Sequence, residues 1–303
     1  MTKIDQIETV VVDVPTIRGH VLSMATMRSQ TAVLVRIRFS DGSTGIGEGT
    51  TIGGLTYCVE SPESIQSAIA TYIAPALKGK GADDVNTSIQ LMDKLVRGNR
   101  IAKAAVEIAL WDGLGKRLAV PVSQLFGGQV YARMPVAWTL ASGSSDTDIA
   151  EALEMIETRR HNIFKLKIGK RSVRDDVAHV AAIKRAVGDA GSVRVDINQA
   201  WSLHDARWGL KGLQDAGCEL VEQPVQGRYV EAQRELTAKY EIAVMADEGL
   251  NGPEDALEIA ANAAADVFAV KVAQSGGIKR ASEVVAIGQA AGLGLYAGTM
   301  LET

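Results

Sequence analysis

Two cysteines in 303 residues, Cys58 and Cys218, are too few and too far apart for a disulfide framework. Their scarcity favours a reducing compartment, and both read as small buried hydrophobes. Histidine is also scarce, and His20, His161, His179 and His204 share no spacing that would hold a transition metal. Basic blocks are missing: 32 Lys plus Arg against 36 Asp plus Glu leave a net charge of −4, which gives nucleic acid no electrostatic footprint. No apolar run approaches the ~20 residues needed to cross a bilayer, so no membrane partner is expected. The opening residues, Met1-Thr2-Lys3-Ile4-Asp5-Gln6, lack the basic-then-apolar order of a secretory signal. These absences point to a cytoplasmic chain. What is present, 47% apolar and 22% charged residues, is the balance of an ordinary globular protein.

The length predicts two domains, and the pattern divides accordingly, into 1–130 and 131–303. The first part runs strands then helices, an α+β order. Thr9 to Val14 is β-branched, and Val33, Val35, Ile37 and Phe39 alternate with Leu34, Arg36 and Arg38 as in a half-buried strand. Ser40-Asp41-Gly42-Ser43 supplies a hairpin turn. Helical stretches follow over Pro62 to Leu77, Asn86 to Arg97 and Ile101 to Arg117.

The second part repeats strand, loop, helix about every 25 residues. Strand cores lie at Val136 to Leu140, Phe164 to Ile168, Val193 to Ile197, Leu220 to Glu222, Ala243 to Ala246, Val267 to Val272 and Leu293 to Tyr296. Helical patterns separate them, among them Asp148 to Arg160, Arg174 to Val187, His204 to Ala216, Pro253 to Asn262 and Lys279 to Ala290. Short apolar strands alternating with helices predict a parallel barrel, which wants eight strands where seven are visible.

The barrel strands carry the chemistry. Lys165 and Lys167 lie two apart in Phe164-Lys165-Leu166-Lys167-Ile168, so the strand period points both ammonium groups to one face. Two inward cations are costly unless anions compensate, and anions end the next three strands. Asp196, Glu222 and Asp247 are spaced by 26 and 25 residues, and a further 24 reach Lys271. Each occupies the equivalent place in its βα unit, at the strand ends where barrel enzymes build active sites. Singly, such an acid often caps the following helix. Together, three carboxylates without His or Cys make an all-oxygen site for one hard divalent cation, Mn2+ or Mg2+.

These residues resemble the signature of the enolase superfamily in its muconate-lactonizing subgroup. The likeness extends from about Ile7 onward through Thr50-Thr51-Ile52-Gly53-Gly54-Leu55, Val136-Ala137-Trp138-Thr139-Leu140-Ala141-Ser142-Gly143, Arg159-Arg160-His161 and Gly298-Thr299-Met300-Leu301-Glu302. The resemblance implies a modified TIM barrel of (β/α)7β type behind an N-terminal α+β capping domain. It implies an isomerase, an intramolecular lyase that reversibly lactonizes cis,cis-muconate to muconolactone through an enolate in catechol breakdown by the β-ketoadipate route. In that reading Asp196, Glu222 and Asp247 hold the metal and Lys167 is the general acid/base, its pKa pushed down by Lys165 and the cation. Lys271 faces the opposite side of the substrate, and Asn198 makes a polar contact to a lysine or the substrate. Three carboxylates, one divalent ion and three ammonium groups leave two positive charges, matching a small dicarboxylate. The family also implies a homo-oligomer, often an octamer.

The loop Thr50 to Tyr57 is expected to close over the barrel mouth, with Ile52 and Tyr57 nearest the substrate and Gly53-Gly54 as its flexible part. Gly45-Ile46-Gly47-Glu48-Gly49 mimics a nucleotide fingerprint, but no amphipathic helix opens after it. Gly276-Gly277, after the sixth barrel strand, reads as a tight turn rather than a phosphate grip. Chloromuconate cycloisomerases, o-succinylbenzoate synthases and N-acylamino acid or dipeptide racemases share the same ligands and lysines, so the core does not separate them. A non-catalytic metal-binding scaffold is the rival from another class, because Asp247-Glu248-Gly249 replaces the family's usual Asp-Glu-Ser. Family members also continue past the seventh strand, so this chain is expected to be truncated there.

Overall fold

The computed structural model describes residues 2–21 and 26–302. β1 (Ile4–Val21), β2 (Thr26–Phe39) and β3 (Thr44–Thr50) form an antiparallel sheet in that order. Val33, Val35, Ile37 and Phe39 are buried on one face of β2, while Arg36 and Arg38 reach across the other to Glu8 of β1. The first strand is longer than its β-branched segment predicts, because its backbone is paired with β2 beyond both ends of that segment.

The glycine-rich segment is itself a strand. An added Cβ on Gly45 would sit 1.9 Å from the carbonyl oxygen of Ala109, and one on Gly47 would sit 2.0 Å from that of Ala105. The glycines of β3 therefore let a helix backbone lie directly on the sheet. That helix is α4 in the series α1 (Pro62–Ala68), α2 (Ala74–Leu77), α3 (Val85–Leu95), α4 (Arg100–Leu118) and α5 (Val122–Leu125). Ala102, Ala105, Val106 and Ala109 of α4 are buried. A capping box of Ser61 and Ser64 opens α1, and the helical run continues through a wider turn, Ile69–Ile73, into α2.

The seven expected strands are β4 (Trp138–Leu140), β5 (Ile163–Lys167), β6 (Ser192–Asp196), β7 (Leu220–Glu222), β8 (Ala243–Ala246), β9 (Val267–Val270) and β10 (Gly294–Ala297). They pair in parallel and in chain order, so the sheet curls into an incomplete barrel with β4 and β10 at its edges among the described residues. α6 (Ser145–Glu157), α7 (Val173–Val187), α8 (Leu203–Asp215), α9 (Val230–Lys239), α10 (Pro253–Ala261), α11 (Val272–Ser275) and α12 (Ile278–Ala290) fill the connections. Phe164, Leu166, Val193, Val195, Val221 and Val244 are buried in one cluster with Val180, Ile183, Leu210 and Leu213 of the covering helices. Burying one leucine-sized side chain contributes roughly 1.5–3 kcal/mol, so this layer is what holds the strand ends in register.

The two domains are joined by a buried carboxylate. Glu107 of α4 accepts the indole N–H of Trp111 and the backbone N–H of Lys279, in the first turn of α12, each at 2.8 Å. Gly277, with φ of 128°, is forced to be glycine, since a Cβ there would strike the Glu107 carboxylate. The Gly276-Gly277 segment is thus a turn shaped around the protein's own anion. Burial pushes the Glu107 carboxyl above its ordinary range, and the Lys279 N–H pulls against that shift.

Candidate active site

Register brings the charged residues together. β5 buries Phe164 and Leu166 on its outer face and sends Lys165 and Lys167 to the inner one. Lys167 pairs in register with Asp196, and Asp196 with Glu222, while Asp247 lies one residue past β8. Oxygens of Asp196, Glu222 and Asp247 all lie within 4.8 Å of one another, and all three residues are buried. None of the three caps a helix: the N-caps of α8, α9 and α10 are Ser202, Tyr229 and Gly252.

Each lysine meets these carboxylates. Lys167 Nζ donates to Asp196 Oδ2 at 2.5 Å and lies 3.3 Å from Asn198 Oδ1. Lys165 ion-pairs with Glu222 and stands 3.3 Å from Asp196. Lys271, one residue past β9, contacts Asp247 at 2.7 Å. Burial opposes charge on Lys165, but Glu222 and Asp196 overcome it and hold the ammonium well above the ordinary lysine range. The same contest, with Asp247 first among the anions, raises Lys271.

The acids divide. Burial works to protonate Asp196, yet Lys167 and Lys165 hold it well below the ordinary carboxylate range. Glu222 is pushed up to about 8, by burial first and by the Asp196 charge next. Three buried carboxylates so close cannot all ionise comfortably on the lysines alone, and a divalent cation between them would relieve the repulsion. The donors are hard oxygens only. The residues therefore fit the divalent metal that the enolase superfamily implies.

Tyr57 reaches this centre from the N-terminal domain, whereas Ile52 packs in an apolar cluster with Ala273 and Met300. Gly53 and Gly54, at φ of 64° and 62°, turn the chain into a short helical segment, Gly54–Thr56, that delivers Tyr57. Its hydroxyl donates to Asp247 Oδ2 at 3.0 Å and accepts from Lys271 Nζ at 2.5 Å. Burial, reinforced by Asp247, pushes the phenol well above its ordinary range.

Asn198 stands outside the strand that carries Asp196. It lies past β6 in the left-handed region, φ 47°, with its N–H bound to Asp196 Oδ1 at 3.0 Å. Its side chain still reaches Lys167, and its Nδ2 donates to Glu248 Oε1 at 3.0 Å. Glu248 was not foreseen, nor was Gln274, whose Nε2 donates to the carbonyls of Asp247 and Leu250. Glu248 could have been suspected only because it follows a strand-end ligand. Burial and the neighbouring Asp247 raise its carboxyl well above the ordinary range. His179 lies outside this centre, buried between Ser145 Oγ at 2.7 Å and Asp148 Oδ2 at 3.3 Å.

Two cavities bear on the site. One of about 240 Å³ is bordered by Tyr57, Glu60, Arg100, Glu248, Gln274 and Met300, beside the carboxylates. A wider groove of about 1380 Å³ along α9, bordered by the 199–202 loop and by Glu258 of α10, holds none of the candidate acids or lysines, so size does not mark the chemistry here.

Known families match both domains. The mandelate racemase / muconate lactonizing enzyme N-terminal domain matches residues 6–127, and the enolase C-terminal domain-like family matches 148–303. Muconate cycloisomerase 1-1 of Acinetobacter lwoffii is 55% identical over 299 residues, covering 99% of this chain and 78% of that protein. A chloromuconate cycloisomerase of Pseudomonas sp. strain P51 is 45% identical over 301 residues, covering 99% and 81%. The crystal structure of a muconate lactonizing enzyme from Pseudomonas fluorescens, complexed with muconolactone, superposes with a TM-score of 0.98 at 50% identity, covering 99% of this chain and 81% of that one. Identity at this level along almost the whole chain, on a fold whose buried acids and lysines already suggested it, shows that the chain belongs to the muconate cycloisomerase family of the enolase superfamily.

Proposed function

We propose that this chain catalyses the reversible cycloisomerisation of cis,cis-muconate to muconolactone. The observation that carries the reading is the buried triad of Asp196, Glu222 and Asp247, met by three lysines, two from β5 and one from just past β9. These three acids would hold one Mn2+ or Mg2+. Such a cation, when bound, supplies Lewis-acid stabilisation to a substrate carboxylate.

The chain's own groups do the rest. In the forward direction one substrate carboxylate oxygen bonds to a diene carbon, and the displaced electron pair moves toward the other carboxylate as an enolate. Lys167 then delivers a proton from Nζ to the carbon next to that carboxylate, and in reverse it removes that proton. Asp196 and Asn198 hold Nζ in place. Lys271, across the site, balances the negative charge, and Lys165 keeps Glu222 compensated. Tyr57 and the turn that carries it close the mouth against water.

Muconate is preferred over chloromuconate as substrate because identity is higher to the muconate enzymes, 55% against 45%. On the family reading the enzyme acts in the cytoplasm as a homo-oligomer of eight copies. Incubation with Mn2+ and cis,cis-muconate should bleach the diene absorbance. Turnover of an N-acylamino acid without turnover of muconate would overturn the assignment.

A further inference from the structure

Asp247 lies one residue past β8, where the ladder no longer fixes the backbone. Something else must hold it. Its N–H donates at 2.8 Å to Oε1 of Gln223, the residue that follows Glu222. The same oxygen accepts the N–H of Gly249 at 3.2 Å, so both lone pairs are used on the two sides of Glu248. The other end of the carboxamide donates to Val225 O at 2.9 Å and to Gln233 Oε1 at 2.8 Å. Gln223 is fully buried, and its backbone joins Met245 O and Gln199 N at 2.9 and 2.8 Å.

Two strained features surround this side chain. Gln223 adopts a left-handed conformation, φ 39°, which a non-glycine residue keeps only where its surroundings fix it. Gly227 and Gly249 touch so closely that a Cβ on Gly227 would lie 2.5 Å from the Gly249 Cα. Their contact brings the loop after β7 onto the loop after β8, with the Gln223 carboxamide between them. Two acceptor directions toward N–H groups and two donor directions toward carbonyls are what a carboxamide alone offers at this length.

We propose that Gln223 is a positioning residue for the cation held by Asp196, Glu222 and Asp247, setting the backbone from which Asp247 reaches the centre. This rests on the metal reading above. Groups behind metal ligands typically govern affinity by about 10–100-fold. Calorimetric titration of the metal-free full chain with Mn2+ tests the idea. Gln223→Met should raise the Mn2+ Kd at least ~10-fold and shrink the Mn2+-induced rise in melting temperature. Gln223→Glu, buried and therefore protonated, keeps the acceptor and turns its O–H to Val225 O, while the Gln233 amide can turn to meet the hydroxyl oxygen, so its Kd should weaken no more than about threefold.

A Gln223→Met Kd within threefold of the parent overturns the proposal, as does a Gln223→Glu loss as large as that of Met. If Gln223→Met does not fold, Gln233→Leu, which removes the anchor of the carboxamide, decides. It should weaken Mn2+ at least about threefold, and an unchanged Kd overturns the proposal. No Mn2+ binding by the unsubstituted chain would defeat the metal reading itself, a separate failure.

Discussion

The Tyr57 hydroxyl donates to Asp247 Oδ2 at 3.0 Å across 190 positions of sequence, and Lys271 Nζ meets the same hydroxyl at 2.5 Å. One phenol therefore ties the capping domain to an acid and a base of the barrel. Hydrogen bonds to charged groups contribute about 1.5–3 kcal/mol. Tyr57→Phe should accordingly lower the melting temperature by a few degrees and lower kcat/KM for muconate by roughly 10–100-fold. Steady-state kinetics beside a thermal scan checks both parts.

Lys167 should be indispensable to turnover, and with Mn2+ bound to offset the Asp196 charge its loss should leave the fold intact. General acid/base groups contribute about 10²–10⁴-fold, so Lys167→Ala should lose at least that much activity while still binding Mn2+. A variant that kept most of its rate would show that the proton comes from elsewhere.

Mn2+ affinity should depend on pH through Glu222. Its carboxyl, raised to about 8, holds a proton below that pH which the cation must displace. Affinity should then fall as pH drops from about 8, by up to ~10-fold per unit, and level off above it. Titrations in two buffers of different ionisation enthalpy should report close to one proton released per ion at neutral pH.

The β3 glycines make a graded prediction. A Cβ at Gly47 would meet backbone, the Ala105 carbonyl at 2.0 Å, whereas one at Gly49 would meet side-chain carbons of Ala105 and Ile101 at 3.2 Å. Overpacking typically costs about 1–3 kcal/mol. Gly47→Ala should reach or exceed that range and Gly49→Ala should fall below it, as read by urea denaturation.

The barrel rhythm was legible because buried parallel strands are apolar runs at regular intervals, and the acids stood out because they fall at the same place in each unit. β3 was hidden, since glycine carries no strand signal and its reason, the backbone of α4, lies far along the chain. α9 was hidden too: its described core is little more than Leu236 and Gln233, too few apolar positions to show a period. Gln223, Glu248 and Gln274 were not legible as site residues because buried amides and acids have no periodicity. Their partners are set by tertiary approach. Ile52 and Tyr57 share a loop, yet only the position of the phenol next to Lys271 tells which of them touches the charged centre.

Glu107 fills the start of α12 with a carboxylate carried by the other domain. A helix end that would otherwise suit a phosphate is already satisfied from within. Inorganic phosphate should therefore have no foothold there. Loss of the capping domain would strip a barrel helix of its anion, so the two domains should come apart in one cooperative step and not in succession.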